Sequence, residues 1–583
     1  MATSRSIPRA RAVALLVVIC AIGLMASAAP AAPQSDLGST TETPPGLLPF
    51  AALARRPESR AGIHHLVSVL VERADSPKKF EYGYSVFVGD ISGDGRRDLL
   101  VINEELAVTT DGFTTHTTVT AVEGDSGKAL WHREVDLTDG GVFPIRGRFG
   151  RGGDEGVILV EVEGFRVGTT GIDYVFKALN GRGKKIWSRQ HSSVIVGEWP
   201  FTFVGTNYLV SLGTFDALRG KATELLMATG AVVYPPNWEL TSGIITASVV
   251  DGGDGTVTNH PTPETGIGIV PQAGAFQDLD GDGLDDYVFT TIRPTASVGD
   301  DEEEDLVTIK PEAGVVDARS GSIGSPLWTA SGLRFNEQNI FFTDIGQVVG
   351  TPTPDVFVET NAQWGRPRPT GDHTYLIDGD DGSIQWRRLG QWPYKPGDID
   401  KDGYSDVMTQ TVYSADGYAA SVVWALNDLG RKLWSREYRT ENPLTSCCTW
   451  MFHGGGSWGV GDVNNDLLED GFISNWAWGG IDGVEKIEHF VVSPRSGRVL
   501  ARGDESLFPL GLPVDAGTAD IARVSWVAPG NLLVSVFDAA KDSPIISSEI
   551  KFGLPVEPKP DVDVAAAYLD RDGCADISLT LRT

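Results

Sequence analysis

The stretch Asp278-Leu279-Asp280-Gly281-Asp282-Gly283-Leu284-Asp285-Asp286 constrains this chain more than any other. Carboxylates stand at its first, third, fifth and ninth positions, with glycine at the sixth. Carboxylates crowded onto one tight loop repel each other unless a cation sits among them. An all-oxygen ligand set on a flexible loop suits a hard ion, Ca²⁺ above all. The sixth-position glycine permits the sharp turn.

The loop is not an EF-hand. That motif continues to a bidentate glutamate at position twelve and then a helix. Here Phe289 stands at twelve, and Tyr287-Val288-Phe289-Thr290-Thr291 favours a strand. A strand–loop–strand calcium site is therefore expected. Three further stretches follow the same grammar: Asp90, Ser92, Asp94 and Asp98; Asp398, Asp400, Asp402 and Asp406; and Asp462, Asn464, Asp466 and Asp470, where Leu467 replaces the glycine. A weaker fifth copy offers Asp570, Asp572 and Asp576, with Tyr568 at its first position. The expected metal content is about four structural Ca²⁺ ions, one per good loop.

Between the acidic loops a second pattern recurs. Gly-x-x-x-Trp occurs at Gly127–Trp131, Gly183–Trp187, Gly324–Trp328, Gly382–Trp386 and Gly430–Trp434, and Gly497–Ala501 carries alanine in place of the indole. The physical reading is a glycine-bearing hairpin turn and an outer strand whose Trp packs between neighbouring units. The unit is then strand, acidic loop, strand, strand, glycine turn, strand, repeating about every 50–65 residues. Four-stranded units at such a period indicate a β-propeller. Degenerate acidic loops are expected near Phe149–Glu155, Val204–Tyr208, Asp344–Asp355 and Asp515–Asp520.

The acidic loops resemble FG-GAP/VCBS repeats, as in the propeller of integrin α subunits, and the Gly-x-x-x-Trp strands resemble quinoprotein-like blades. The resemblance implies calcium between strands on one rim, fixing the hairpin. The fold expected for residues 62–583 is an all-β propeller of four-stranded blades, eight in number with seven or nine open. A half-unit at 563–583, completed by strands from residues 62–83, would close the ring.

Residues 1–28 read as a cleaved signal peptide: Arg5, Arg9 and Arg11, an apolar run, then Ala26-Ser27-Ala28. Residues 29–61 read as a flexible Pro/Ala/Ser-rich leader. Secretion follows, and no later stretch is long and apolar enough to cross a membrane. The net charge of −30 disfavours nucleic acid, which needs a basic face. The function expected is a secreted, monomeric binding or adhesion module for an extracellular protein or glycan. The alternative is a secreted enzyme on the same ring, glycan-active or of quinoprotein type.

No catalytic motif stands on its own. His453-Gly454-Gly455-Gly456-Ser457-Trp458-Gly459 overlaps two hydrolase signatures that belong on separate elements. Cys447-Cys448 invite a vicinal disulfide beside a quinone cofactor, a bond to Cys574, or free thiols. Arg502-Gly503-Asp504 matches an adhesion tripeptide. The aromatic segment Trp450–Trp478 reads as packing or as a sugar-stacking surface, and Asp300–Asp305 as a solvated acidic loop.

Overall fold

Runs of β-branched and aromatic residues follow each acidic loop, and each becomes a strand buried on both faces. Val157, Ile158, Leu159 and Val160 are all buried in one such strand. Apolar side chains on consecutive positions require cover on both sides, so these strands are interior ones. The outer strands alternate instead, as in Ala129–Thr138.

The computed structural model describes residues 79–582, except 109–112, 125, 139, 164–171, 197–202, 219, 221, 235–244, 261–275, 299–306, 334–338, 347, 349, 351–352, 362–372, 416–417, 442–456, 480–483, 505–506, 511–519, 529–530, 539–543, 552–560 and 568–575. The signal peptide, the leader, the acidic run 300–305, the cysteines 447, 448 and 574, and Asp570 and Asp572 therefore lie outside the described residues.

The described residues form an eight-bladed β-propeller of four-stranded antiparallel blades, without helices. Blade 1 runs Lys79–Phe87, Leu99–Val108, Phe113–Val122 and Ala129–Thr138. Blade 2 runs Gly141–Phe149, Asp154–Glu163, Ile172–Asn180 and Lys185–Val196. Blade 3 runs Phe203–Phe215, Glu224–Tyr234, Ile245–Val250 and Val257–Asn259. Blade 4 runs Phe276–Gln277, Asp286–Val298, Val307–Arg319 and Pro326–Leu333. Blade 5 runs Asn339–Gly346, Asp355–Asn361, His373–Ile377 and Ile384–Leu389. Blade 6 runs Gln391–Gly397, Asp406–Ala415, Tyr418–Leu426 and Lys432–Glu441. Blade 7 runs Ser457–Gly459, Gly471–Gly479, Val484–Val492 and Val499–Gly503. Blade 8 runs Leu507–Pro509, Asp520–Ala528, Asn531–Asp538 and Pro544–Lys551. Blades 2 and 3 join edge to edge through Val194↔Thr206 and its neighbours.

A C-terminal hairpin, Asp561–Ala567 with Asp576–Arg582, follows blade 8. Val562, Val564, Ile577 and Leu579 pack on the blade 8 core, and the last strand lies against Lys79–Phe87 of blade 1. The expected closing half-unit is thus present. Of the expected closing residues 62–83, 62–78 lie outside the described residues, and 79–83 belong to the first strand of blade 1, which pairs with its second strand and meets the last strand of the hairpin.

The apolar cores lie between blades. Leu279, Val288 and Trp328 of blade 4 pack with Val356, Val358 and Tyr375 of blade 5. Met408 and Tyr438 of blade 6 pack with Leu468, Ile473 and Phe490 of blade 7.

The Gly-x-x-x-Trp pattern forms the joints. Each indole Nε1 donates to a backbone carbonyl in the next blade: Trp131 to Gly181 (3.0 Å), Trp187 to Gly252 (2.8 Å), Trp328 to Gly379 (2.6 Å), Trp386 to Asp428 (2.8 Å) and Trp434 to Pro494 (2.7 Å). The glycine beneath each ring is the turn glycine of the following unit, such as Gly430 beneath Trp386. The two ends of the pattern are therefore partners across a blade boundary. An arginine two residues past the Trp adds a second tie that the sequence reading missed. Arg133 donates to the Gly183 carbonyl at 2.8 Å, and Arg388 to that of Gly430. The recurrent Trp-x-Arg spacing was the available signal. In blade 3, His260 takes the indole's place over Gly324 and meets the Tyr287 hydroxyl at 2.9 Å through Nδ1.

Gly430 has a φ of +67°. A Cβ there would lie 2.7 Å from Trp386 Cγ. Gly430→Ala is expected to cost about 2–4 kcal/mol, combining left-handed strain with overpacking. Gly332 has a φ of +88°, but an added Cβ there would meet nothing within 4 Å, so Gly332→Ala should cost only about 1–2 kcal/mol. Denaturant midpoints of the two variants check this, and equal losses would show that the indole contact contributes nothing.

Candidate metal centre

The acidic loops connect the first and second strands of blades 1, 4, 6 and 7, and within each loop the carboxylates have different tasks. The first-position carboxylate caps the turn. Asp278 Oδ1 accepts from the N–H groups of Gly281 (2.7 Å) and Asp282 (3.1 Å), and Oδ2 from Gly283 (2.9 Å). Asp90, Asp398 and Asp462 accept from the matching amides of their own loops. The fifth-position carboxylates of Asp94, Asp282, Asp402 and Asp466 accept the N–H two residues on. These are local Asx-type turns. Positions four and six are left-handed in every loop, which is where Gly93, Gly95, Gly281, Gly283 and Gly403 stand. Lys401, Asn465 and Leu467 adopt the same conformation without being glycine.

The ninth-position carboxylate closes the loop onto its strand. Asp286 Oδ2 accepts from Leu279 N–H at 2.7 Å and Oδ1 from Gly321 N–H at 3.0 Å. Asp98 does the same with Ser92 (2.7 Å) and Gly124 (3.0 Å). Asp470 accepts from Val463 N–H at 2.8 Å and from the Asn464 amide at 2.9 Å. Asp406 takes Ile399 and Asp400 N–H groups through Oδ2 alone.

Two loops bring three carboxylates together. Oxygens of Asp278, Asp280 and Asp286 lie within 4.8 Å of one another, and so do those of Asp398, Asp400 and Asp406. Ligands on one Ca²⁺ at about 2.3–2.6 Å stand at most about 5 Å apart. Of the four positions expected to converge, one, three and nine lie together in these two loops. Position five, Asp282 and Asp402, is not part of either cluster. The loops with Ser92 and Asn464 at position three lack a third carboxylate there, and among the described residues they form no such cluster. In the Asp398 loop one donor is ready for a cation: Asp406 Oδ1 is buried without a hydrogen-bond partner. The donor set is oxygen only, as Ca²⁺ requires.

Burial pushes the ninth carboxyl up in every loop. Asp286 and Asp406 rise to about 6 and Asp470 to about 7, first through desolvation and then through neighbouring aspartates. Asp98 also rises, for the same leading reason. A bound divalent cation reverses that logic and favours the ionised forms.

The ninth-position clasp outlasts the ligands. In blade 5, Asp355 Oδ2 accepts from Val348 N–H at 2.7 Å, although no acidic series precedes it. In blade 3, Glu224 Oε2 accepts from Ala217 N–H at 2.9 Å and Leu218 N–H at 3.3 Å. Two sequence expectations are corrected here. The degenerate loop of blade 3 spans residues 216–223, whereas Val204–Tyr208 lies inside the first strand. Asp344 likewise lies inside the first strand of blade 5, so Asp355 is the sole acid of that pair in the loop geometry. Polar and glycine residues inside these first strands, Gly205-Thr206-Asn207 and Thr343-Asp344, imitate the start of a loop. Asp576 starts a strand of the hairpin, but its side chain lies outside the described residues, as do Asp570 and Asp572.

Of the other sequence candidates, those within the described residues have structural partners. Ser457 lies in a strand paired with Ile473, and no helix follows it, so it is no nucleophile elbow. Arg502 bonds Glu488 at 2.5 Å and covers the Phe490 ring at 5.3 Å, which ties down the arginine of the Arg-Gly-Asp tripeptide. Phe472 is buried between blades 7 and 8. Trp450, Phe452 and the side chains of Trp458, Trp476 and Trp478 lie outside the described residues. Buried acids beyond the loops went unseen, Glu104 among them. Glu104, between blades 1 and 2, accepts from Thr117 Oγ1 (3.3 Å) and Val142 N–H (3.2 Å). Burial lifts its carboxyl to about 7.

No protein-family model matches the sequence, and no curated protein matches it. The FG-GAP/VCBS resemblance therefore stands on the loop residues alone. Among solved structures, similar chains include an ACO/RPE65 chimera (9% identical, TM-score 0.29, 63% of this chain and 91% of that one). Cobalt-substituted Synechocystis ACO is similar at 10% identity and TM-score 0.29, over 63% of this chain and 91% of that one. A quinohemoprotein alcohol dehydrogenase, ADHIIG from Pseudomonas putida HK5, is similar at 10% identity and TM-score 0.32, over 72% of this chain and 68% of that one. At these values the likenesses carry no conclusion about activity.

Two outcomes follow from the geometry. Leu467 is 85% exposed at a φ of +68°, so Leu467→Gly should relieve strain without losing packing and raise stability by about 1 kcal/mol, read from a denaturation curve. Folded Glu104 holds its proton up to about pH 7, whereas an unfolded glutamate releases it near 4.5. Its favourable contribution is complete below pH 4.5 and is lost as pH rises through 7. Glu104→Gln, which keeps the acceptor oxygen, should exceed the parent by about 2–3 kcal/mol above pH 8 and match it at pH 4. A pH-independent difference would overturn this assignment.

Proposed function

We propose that this chain is a secreted, calcium-stabilised β-propeller that acts as a binding module for an extracellular protein or glycan. The observation that carries the metal part is the Asp398, Asp400 and Asp406 cluster, in which a buried oxygen of Asp406 has no partner. Burying an ionised carboxylate with one oxygen unpartnered is costly, and a cation held by the three aspartates would offset that cost. Asp398, Asp400 and Asp406 would hold one ion, and Asp278, Asp280 and Asp286 a second. The loops of Asp90, Ser92, Asp94 and Asp98 and of Asp462, Asn464, Asp466 and Asp470 would hold weaker ones. The metal's role is to fix the hairpin between the first two strands. A ring of rigid blades with variable loops suits recognition, and the buried carboxylates described above are engaged with backbone amides. Secretion rests on the leader sequence, and calcium is abundant outside cells.

Chelation should lower the melting temperature, and calcium should restore it. At a free concentration about tenfold above Kd each site adds about 1.4 kcal/mol. Asp400→Asn should remove the contribution of one site without unfolding the protein. Melting that is indifferent to both EDTA and Ca²⁺, with no calcium by elemental analysis, would falsify the metal reading.

A further inference from the structure

We propose that the perimeter groove between blades 5 and 6 binds an organic anion of sugar size, a carboxylate or sulfate carried on a pyranose ring. The groove is of about 340 Å³, near the lower end of small-molecule sites, about 300–1,000 Å³. Arg387, Arg388, Lys432 and His373 line it, together with Leu389 and Trp424, and among the described residues no carboxylate does. That is anomalous in a chain of net charge −30.

Among the described residues Arg387, Arg388 and Lys432 make no ion pair. Arg387 Nη2 lies 3.1 Å from His373 Nδ1, and the guanidinium lies 5.7 Å from the centre of the Tyr375 ring. Its Nε is buried without a hydrogen-bond partner. Arg388 gives Nε to the Gly430 carbonyl and Nη1 to the Arg387 carbonyl at 2.8 Å. Like charges gathered without counter-charge repel, and an anion entering among them removes that cost. Guanidinium groups present planar pairs of donors that match a carboxylate or sulfate.

The repeat shows that Arg387 is not needed for the joint. The residue after the docking Trp is His132, Ser188, Thr329 or Ser435 in the other Trp-bearing blades, and arginine in blade 5 alone. The ring requirement comes from the apolar wall. Trp424 is half-buried and Leu389 is 43% exposed, a flat surface suited to the C–H face of a sugar. This inference deepens the binding-module reading and rests on it, but none of its residues belongs to a calcium loop.

The test is calorimetric titration of the calcium-loaded protein with trigalacturonate, maltotriose and sodium sulfate at matched ionic strength. Saturable binding of the acidic trisaccharide is expected, with maltotriose silent. Arg387→Gln and Lys432→Gln should each weaken it about tenfold or more, as for a hydrogen bond to a charged group. Lys128→Gln, on blade 1, should leave it unchanged, and unaltered melting confirms that each variant folds. No saturable binding, equal binding of maltotriose, sulfate as tight as the trisaccharide, or indifference to both substitutions overturns the proposal. Saccharide binding without any calcium effect on melting would support the groove while the metal reading fails. The converse result would sink the groove alone.

Discussion

The ring depends on a hydrogen bond from an indole to a carbonyl of the following blade, made over a glycine that has no side chain to obstruct it. Each blade is a sheet with two apolar faces, so it is stable only between neighbours. The interblade cores supply most of the free energy, but apolar contact is non-directional and does not by itself set an angle. The Trp131, Trp187, Trp328, Trp386 and Trp434 donors fix the angle and height of one sheet against the next at five of the blade boundaries. Burying an indole N–H without a partner would cost about 1–3 kcal/mol, so alternative packings that break the bond are penalised.

A second constraint acts in the loop between the first two strands of blades 1, 3, 4, 5, 6 and 7. The ninth-position acid is a loop clasp first and a metal ligand second. It persists as Glu224 and Asp355 where the rest of the acidic series has gone, and in both it still satisfies loop amides. That explains why blades without ligands still hold the same strand geometry. It also separates two roles that look identical in sequence: positions one and three add charge to the site, and position nine adds it to a fold already made.

The repeat unit, the strand order, the acidic loops and the interblade Trp were all legible in the chain, because each is a local pattern repeated at a constant offset. What escaped reading was not local. Arg133 and Arg388 act on carbonyls about 40–50 residues away, and only coordinates show the partner. His260 replaces Trp one position later than the pattern predicts, so it left no mark in a search for Gly-x-x-x-Trp. The start of the blade 3 loop was misplaced because Gly205-Thr206-Asn207 has turn-type composition, yet it lies inside the long first strand there, Phe203–Phe215. The convergence of Asp398, Asp400 and Asp406 was legible, and the non-participation of Asp402 was not. Its carboxylate is engaged by the Tyr404 amide, a choice set by backbone geometry.

Because a turn glycine serves the indole of the preceding unit while its own Trp serves the next, a standard unit carries both plug and socket. Copies of such a module can be added or removed in whole numbers and every new joint is already complementary, a head-to-tail arrangement that would grow without limit were it not curved back on itself. The number of units is then decided by curvature and by whatever seals the final gap. In this chain the sealing piece is a bare hairpin, Asp561–Ala567 with Asp576–Arg582, seated against the last blade and the first. Ala501 already stands where blade 7 would offer its indole to blade 8. Blade 8 is therefore held on both sides without the repeated plug, and a ring of this kind should come apart there first.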